Sequence, residues 1–224
     1  MSIEQPGLFG QEQEKDYNKE ISEEIYISFI PGIKQENAHL DLENMTQLEE
    51  RVKNCTLCRL REGCKKVVFG EGKTDTRLML VGEGPGMEED LQGRPFVGRS
   101  GQLLDKILQA AELPRSDIFI ANVIKCRPPG NRLPRPDEVK LCQNYLEAQI
   151  RLIKPQLIVC LGSLASKVII DPRAGITAIR GKWFTRQGIE IIATFHPAAL
   201  LRNESYKRPV WQDFKQIRDK YYKR

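Results

Sequence analysis

The chain of 224 residues carries 35 Lys and Arg against 30 Asp and Glu, with six Cys and only two His. That length holds one domain with a proper core plus an appendage, and no run of about 18 apolar residues is present to span a membrane. Two histidines exclude most metallohydrolase and histidine-rich zinc schemes, and an N-terminus with neither a basic start nor an apolar signal core leads us to expect a cytoplasmic chain.

Charge divides the chain. Residues 1 to 50 hold 12 acidic and 3 basic side chains, whereas residues 51 to 224 hold 18 acidic and 32 basic ones. A body that basic suits a polyanionic partner such as nucleic acid, since each phosphate contact releases condensed counterions. Residues 1 to 45 are polar and acidic with one apolar island, and read as a flexible N-terminal extension. Residues 46 to 224 read as the globular domain.

Four short apolar, β-branched runs predict strands buried on both faces: 77 to 84, 118 to 126, 156 to 162 and 189 to 196. Helical patterns lie between them. "SGQLLDKILQAAEL" puts Leu103, Leu104, Ile107, Leu108 and Ala111 on one face, a second helix opens at Pro136 and Asp137, and "SLASKVII" makes a third. Alternating strands and helices predict a three-layer αβα sandwich around a mainly parallel four-stranded sheet, with ligands at the C-terminal strand ends.

The first strand runs into "LMLVGEGPGMEED", residues 78 to 90. A phosphate cradle uses free backbone N–H groups and usually a lysine. Here no such lysine follows, Pro85 removes a donor, and Glu83, Glu88, Glu89 and Asp90 would repel an anion. The loop suits a neutral or transiently cationic group, or else is a tight turn without chemistry.

Phe96 in "LQGRPFVGRSG" stands between glycines beside Arg94 and Arg99, placed either to stack on a nucleobase while the cations meet phosphates or to plug the loop onto the core. Asn122 lies in an otherwise apolar strand, where its amide can pair edge-on with a base or be satisfied by backbone. His196 ends the last strand before Pro197, able to donate to an oxygen gaining charge or simply to cap the turn.

"GEGPGMEED", "GRPFVGRSGQLLDKIL", "NVIKCRPPGNRLPRPDE" and "FHPAALLRN", in this order, closely resemble the family 4 uracil-DNA glycosylases, the iron–sulfur branch of that superfamily, over about residues 46 to 222. The resemblance implies a monofunctional hydrolase that flips uracil out of DNA and leaves an abasic site. It implies catalytic roles for Glu83 and His196, a pocket wall from Gly84 and Glu89, uracil stacking on Phe96, and edge recognition by Asn122. Leu200 corresponds to the wedge that fills the vacated base stack, with Arg202 close to phosphates. The superfamily's best-known branch has an aspartate at the position of Gly84, which leaves the water-activating role open.

Cys55, Cys58, Cys126 and Cys142 match the family's four ligands to a structural [4Fe–4S] cluster, with no catalytic metal. By spacing alone the first pair is a good metal knuckle, the second is unremarkable, and zinc competes for the same thiolates. Cys64 sits in a basic loop and Cys160 in an apolar strand, where it reads as core packing. Competing readings are a relative that traps uracil-DNA covalently through a histidine, which the loop of residues 126 to 138 lacks, and a metal-stabilised nucleic-acid-binding accessory. The expected partner is uracil-containing DNA, acted on by a monomer. Near the start, Gln5 to Phe9, "QPGLF", resembles the peptide by which bacterial repair proteins dock on the DNA sliding clamp.

Overall fold

The computed structural model describes residues 41 to 223. The clamp-like segment Gln5 to Phe9, His39 and almost all of the acidic extension lie outside the described residues.

The chain opens with α1 (Met45–Lys53), capped by Asn44, whose side chain accepts from the Gln47 N–H at 3.0 Å. There follow α2 (Leu60–Gly63), β1 (Glu71–Gly72), β2 (Leu78–Gly82), α3 (Met87–Gln92), α4 (Arg99–Ala110), β3 (Ile118–Asn122), α5 (Pro136–Ile153), β4 (Leu157–Leu161), α6 (Ser163–Ile169), α7 (Ile176–Ile179), β5 (Trp183–Arg186), β6 (Ile189–Thr194), α8 (Pro197–Arg202) and α9 (Lys207–Tyr222).

The sheet runs β1-β3-β2-β4-β6-β5, and its four inner strands are parallel. These are the four strands expected from the sequence, each shorter at its C-terminal end because the last residues leave the ladder as loops. Two short antiparallel strands, β1 and β5, extend the sheet to six. Neither has the long apolar run that marks a buried strand: β1 is a Glu-Gly pair, and β5 alternates buried and exposed side chains as an edge strand does.

Alternation along the strands sorts the core into two layers. Met79, Val81, Phe119, Ala121 and Ile158 face Leu48, Val52, Leu146, Ile150 and Val168 of α1, α5 and α6. Leu78, Leu80, Ile118, Ile120 and Val159 face Leu104, Leu108, Val210, Phe214 and Ile217 of α4 and α9. α9 goes beyond the predicted helices, although Val210, Phe214 and Ile217 recur at helical spacing.

β2 is the first inner strand in sequence, and its neighbours β3 and β4 lie on opposite sides of it. The strand order therefore reverses beside β2, which opens a crevice above its C-terminal end. A polar brace holds the last inner strand nearby. Asp213 of α9 is fully buried, accepts from Thr194 Oγ1 at 2.6 Å and pairs with Arg180, whose guanidinium lies 5.8 Å from the Phe195 ring centre. Phe195 also stacks on Tyr206 with centroids 4.2 Å apart. The residue after this braced segment is His196.

Candidate active site at the strand ends

A cleft of about 420 Å³ opens over the C-terminal end of β2, lined by Glu83, Gly84, Glu89, Phe96, Asn122, His196 and Arg202 among others. The strand ends, the Phe96 loop and the start of α8 thus bring together seven of the eight side chains or backbone positions expected at the pocket. Leu200 is the exception.

The side chains approach so closely because three glycines, at the ends of β2 and β4, lack a Cβ where one would collide. At Gly82 it would lie 2.5 Å from Asn122 Oδ1 and 2.6 Å from Phe96 Cζ. Gly162, at φ 92°, would bring a Cβ within 2.9 Å of His196 Cβ. At Gly84 it would meet Ile124 Cγ1 at 2.6 Å, so the aspartate of the best-known branch has no room unless Ile124 moves.

Asn122 is 2 % exposed, and its Oδ1 is buried without a hydrogen-bond partner. An orphaned buried acceptor is costly unless a ligand supplies the donor. Phe96 is buried against the α4 and α9 layer and also walls the cleft, so the stacking and plugging readings describe one placement. Its backbone has φ 53°, a strained value for an aromatic residue. Two features hold it there. Glu89 Oε1 accepts from the N–H groups of Val97 and Gly98, each at 2.9 Å, and its Oε2 accepts from Gly86 N–H at 3.1 Å. Gly101 leaves space for the Phe96 carbonyl, which a Cβ would meet at 1.9 Å. Glu89 is therefore a clasp between the glycine loop and the Phe96 loop.

His196 caps α8 with Nδ1, which accepts from the Ala198 N–H at 3.1 Å. A nitrogen that accepts carries no proton, so the neutral ring bears its proton on Nε2. Burial pushes the imidazole down to about 4, Arg202 pushes the same way, and Glu89 opposes them. The capping bond thus fixes the tautomer that leaves an N–H donor. The Phe96 and His196 rings lie 5.5 Å apart at 30°. Burial raises the Glu83 carboxyl above the ordinary carboxylate range, and exposed Arg202 partly offsets this.

Two sequence expectations change. Leu200 is 2 % exposed and packs into the α4 and α9 layer, so it does not project from the surface as a wedge would. The large apolar side chain exposed on the cleft's rim is Leu133, 72 % exposed. Arg94, read as a phosphate contact, instead makes a two-pronged pair with Glu71 at 2.6 and 2.8 Å, while Arg99 stays exposed. The loop from Pro128 to Leu133 was missed as a wall because its residues fit no strand or helix period. Arg132 braces it with a fork onto Glu138 at 2.7 and 2.8 Å, which holds that carboxyl down to about 2.

Below the cleft, Cys55, Cys58, Cys126 and Cys142 line one cavity with Val52, Leu57, Leu60 and Tyr145. Burial raises the thiols of Cys58 and Cys142, the latter to about 12. Among the described residues no three His, Cys, Asp or Glu side chains are grouped to hold a metal ion. Four thiols on one cavity wall are the donor set that a group bound through one thiolate at each corner would use. Cys64 is absent from that cavity, and Cys160 is buried in the core.

A sequence model of the uracil DNA glycosylase superfamily matches residues 69–215. A type-4 uracil-DNA glycosylase of Thermotoga maritima is 47% identical over 182 residues, covering 79% of this chain and 94% of the relative. The chain belongs to the type-4 uracil-DNA glycosylases. Those of Sulfurisphaera tokodaii and Archaeoglobus fulgidus are 40% and 38% identical, over 80% and 79% of this chain and 85% and 92% of their own lengths. The type-4 resemblance drawn from four motifs is thus matched along most of the domain.

His196 should stay neutral from pH 8 down to about pH 5, read from its ring proton shifts by NMR, with titration near 4. The sign follows from the lowered value. The unfolded chain binds this proton near pH 6.5 and the folded chain only near 4, so the residue's contribution to stability falls as pH drops between those values.

Proposed function

We propose that the chain excises uracil from DNA by hydrolysing the N-glycosidic bond, leaving an abasic site. The observation that carries this is the orphaned Asn122 Oδ1 facing a cleft that also holds neutral His196. Uracil presents an N3–H donor beside the O4 acceptor, matching the amide's acceptor and donor; cytosine presents the reverse pattern and would set acceptor against acceptor. A base inside a duplex cannot reach such a cleft, so the nucleotide must be flipped out.

The residues then divide the charge that develops as the bond breaks. The leaving uracil gathers negative charge on O2, where the His196 Nε2–H can donate, while Glu83 faces the sugar as it becomes cationic. Water adds to C1′ and releases a proton, and the uracil anion takes up a proton at N1, so the hydrolysis balances without a lysine nucleophile. Phe96 would stack on the base and Gly84 and Glu89 complete the wall. Arg202 at the mouth would meet a phosphate, and Leu133 would enter the vacated stack as an apolar wedge.

The four thiols would hold a structural [4Fe–4S] cluster, whose chemistry when bound is to cross-link the knuckle before α2 to both ends of the loop of residues 126 to 142. All six cysteines are free of disulfides, in keeping with a reducing, cytoplasmic setting. Among the described residues no helix is long and apolar enough to cross a membrane. The residues ahead of Leu42, which packs into the core before the Asn44 cap of α1, would form the separate extension, and Gln5 to Phe9 would dock Leu8 and Phe9 in an apolar pocket of a sliding clamp.

Incubation with a uracil-containing oligonucleotide in chelator, then alkali, should release free uracil and break the strand only after alkali. Asn122→Asp should lower uracil turnover about tenfold or more, the cost of mispairing one buried edge. Leu133→Ala should reduce turnover on duplex more than on single strands. A stable protein–DNA adduct would instead indicate a covalent trap.

Purified protein should be brown and carry about four irons per chain. Cys142→Ser should lose the colour and Cys160→Ser should keep it, by visible absorbance and iron assay. An anaerobic preparation that is colourless and carries zinc refutes the cluster. A peptide of residues 1 to 15 should bind a bacterial clamp by calorimetry, and Leu8→Ala or Phe9→Ala should abolish the binding.

A further inference from the structure

Among the largest fully buried side chains of the described residues is a lysine, Lys125, 1 % exposed. It lines the thiol cavity and bonds to Asn122, a residue of the cleft wall. Its ammonium donates to the Asn122 carbonyl oxygen at 2.8 Å and to Gln149 Oε1 at 2.6 Å. Its own N–H donates to Cys142 Sγ at 3.3 Å, and its carbonyl accepts from Val68 N–H at 2.8 Å. Gln149 is anchored in turn by donating to the Phe69 carbonyl at 2.9 Å.

Filling this space would not require a charge. Burying an ammonium is costly unless hydrogen bonds repay it, and an apolar side chain of similar volume would avoid the cost. The two acceptors of this ammonium, the Asn122 carbonyl and Gln149 Oε1, are neutral oxygens, and one belongs to the residue whose side chain faces the cleft. Asn122 is the last residue of β3; the N–H of its outgoing peptide, on Val123, donates to the Gly82 carbonyl at 2.9 Å, and the carbonyl of that same peptide is held by the Lys125 ammonium. The opposite end of the same residue is fixed by the sulfur of Cys142.

We propose that Lys125 is a positioning residue that ties the Asn122 peptide to the thiol site, so that filling of the thiol site sets how tightly the cleft holds uracil. This rests on the uracil and thiol-site readings above. When the four sulfurs are bound together, Cys142 Sγ is fixed where the Lys125 N–H meets it. When they are released, that anchor is free to move, and the carbonyl grip on Asn122 moves with it.

The test measures the dissociation constant of free uracil by calorimetry. It compares wild-type holoprotein, Lys125→Met and Gln149→Met, each before and after anaerobic removal of iron by chelation, with visible absorbance and circular dichroism recorded throughout. Lys125→Met should keep its absorbance yet bind uracil about tenfold more weakly, the loss expected for one charge-assisted hydrogen bond. Chelation should weaken wild type by a similar factor and Lys125→Met by little more, because both perturbations break one linkage. Gln149→Met should give a smaller loss. Unchanged uracil affinity in an iron-bearing Lys125→Met, or losses that simply add, overturns the proposal. Should Lys125→Met fail to fold, chelated wild type decides alone: unchanged affinity in a still-folded protein overturns the linkage. Wild type that binds no uracil refutes the cleft reading instead, and wild type without iron refutes the thiol-site reading.

Discussion

The cleft depends on how closely neighbouring chains approach the end of β2. Gly82 pairs in register with Asn122, and a Cβ on it would lie 2.5 Å from the amide oxygen and 2.6 Å from the Phe96 ring. Any side chain there would separate the Asn122 amide from the Phe96 ring. Gly162 does the same for His196 one strand further along, and Gly84 for Ile124 beneath the glycine loop. The glycines of "VGEGPG" serve close packing between strand ends and not a phosphate cradle, and the acidic residues around them need no anion to explain them.

Those acidic residues do different work because their surroundings differ. Glu89 is buried and accepts three backbone hydrogen bonds that hold the strained Phe96 loop. Asp90 is buried and accepts from the Lys65 N–H at 2.9 Å, joining α3 to the segment after α2. Glu83 alone faces the cleft half-buried, with a raised pKa and an exposed arginine nearby. A carboxylate left with little local compensation can respond to a cationic sugar, whereas one already paired to three N–H groups has little more to give.

The same economy governs His196. One hydrogen bond from the Ala198 N–H both caps α8 and fixes the tautomer, while burial keeps the ring neutral. Capping and donation, read from sequence as alternatives, are compatible in this geometry, since the cap uses Nδ1 and leaves the proton on Nε2. The Arg180, Asp213 and Thr194 brace then keeps the strand that delivers the ring in place.

The local sequence carried much of this. Apolar β-branched runs separated by helical periodicity determined the four parallel strands and the three-layer architecture, because strands buried on both faces need continuous apolar side chains. The four motifs determined the family and placed seven of eight pocket positions. Other features were decided only in three dimensions. Leu200 and Leu133 are both leucines near functional motifs, but helix α8 turns one into the core while Arg132 and Glu138 hold the other at the rim. Arg94 and Arg99 flank the same aromatic, yet only Arg94 meets a carboxylate, on an edge strand too short to read from sequence. Lys125 stands in the sequence as one lysine beside a cysteine; its burial and its bonds to Asn122, Gln149 and Cys142 exist only because β3, α5 and the thiol site pack together. Periodicity records which face of its own element a residue occupies, whereas burial and pairing depend on what another element brings against it.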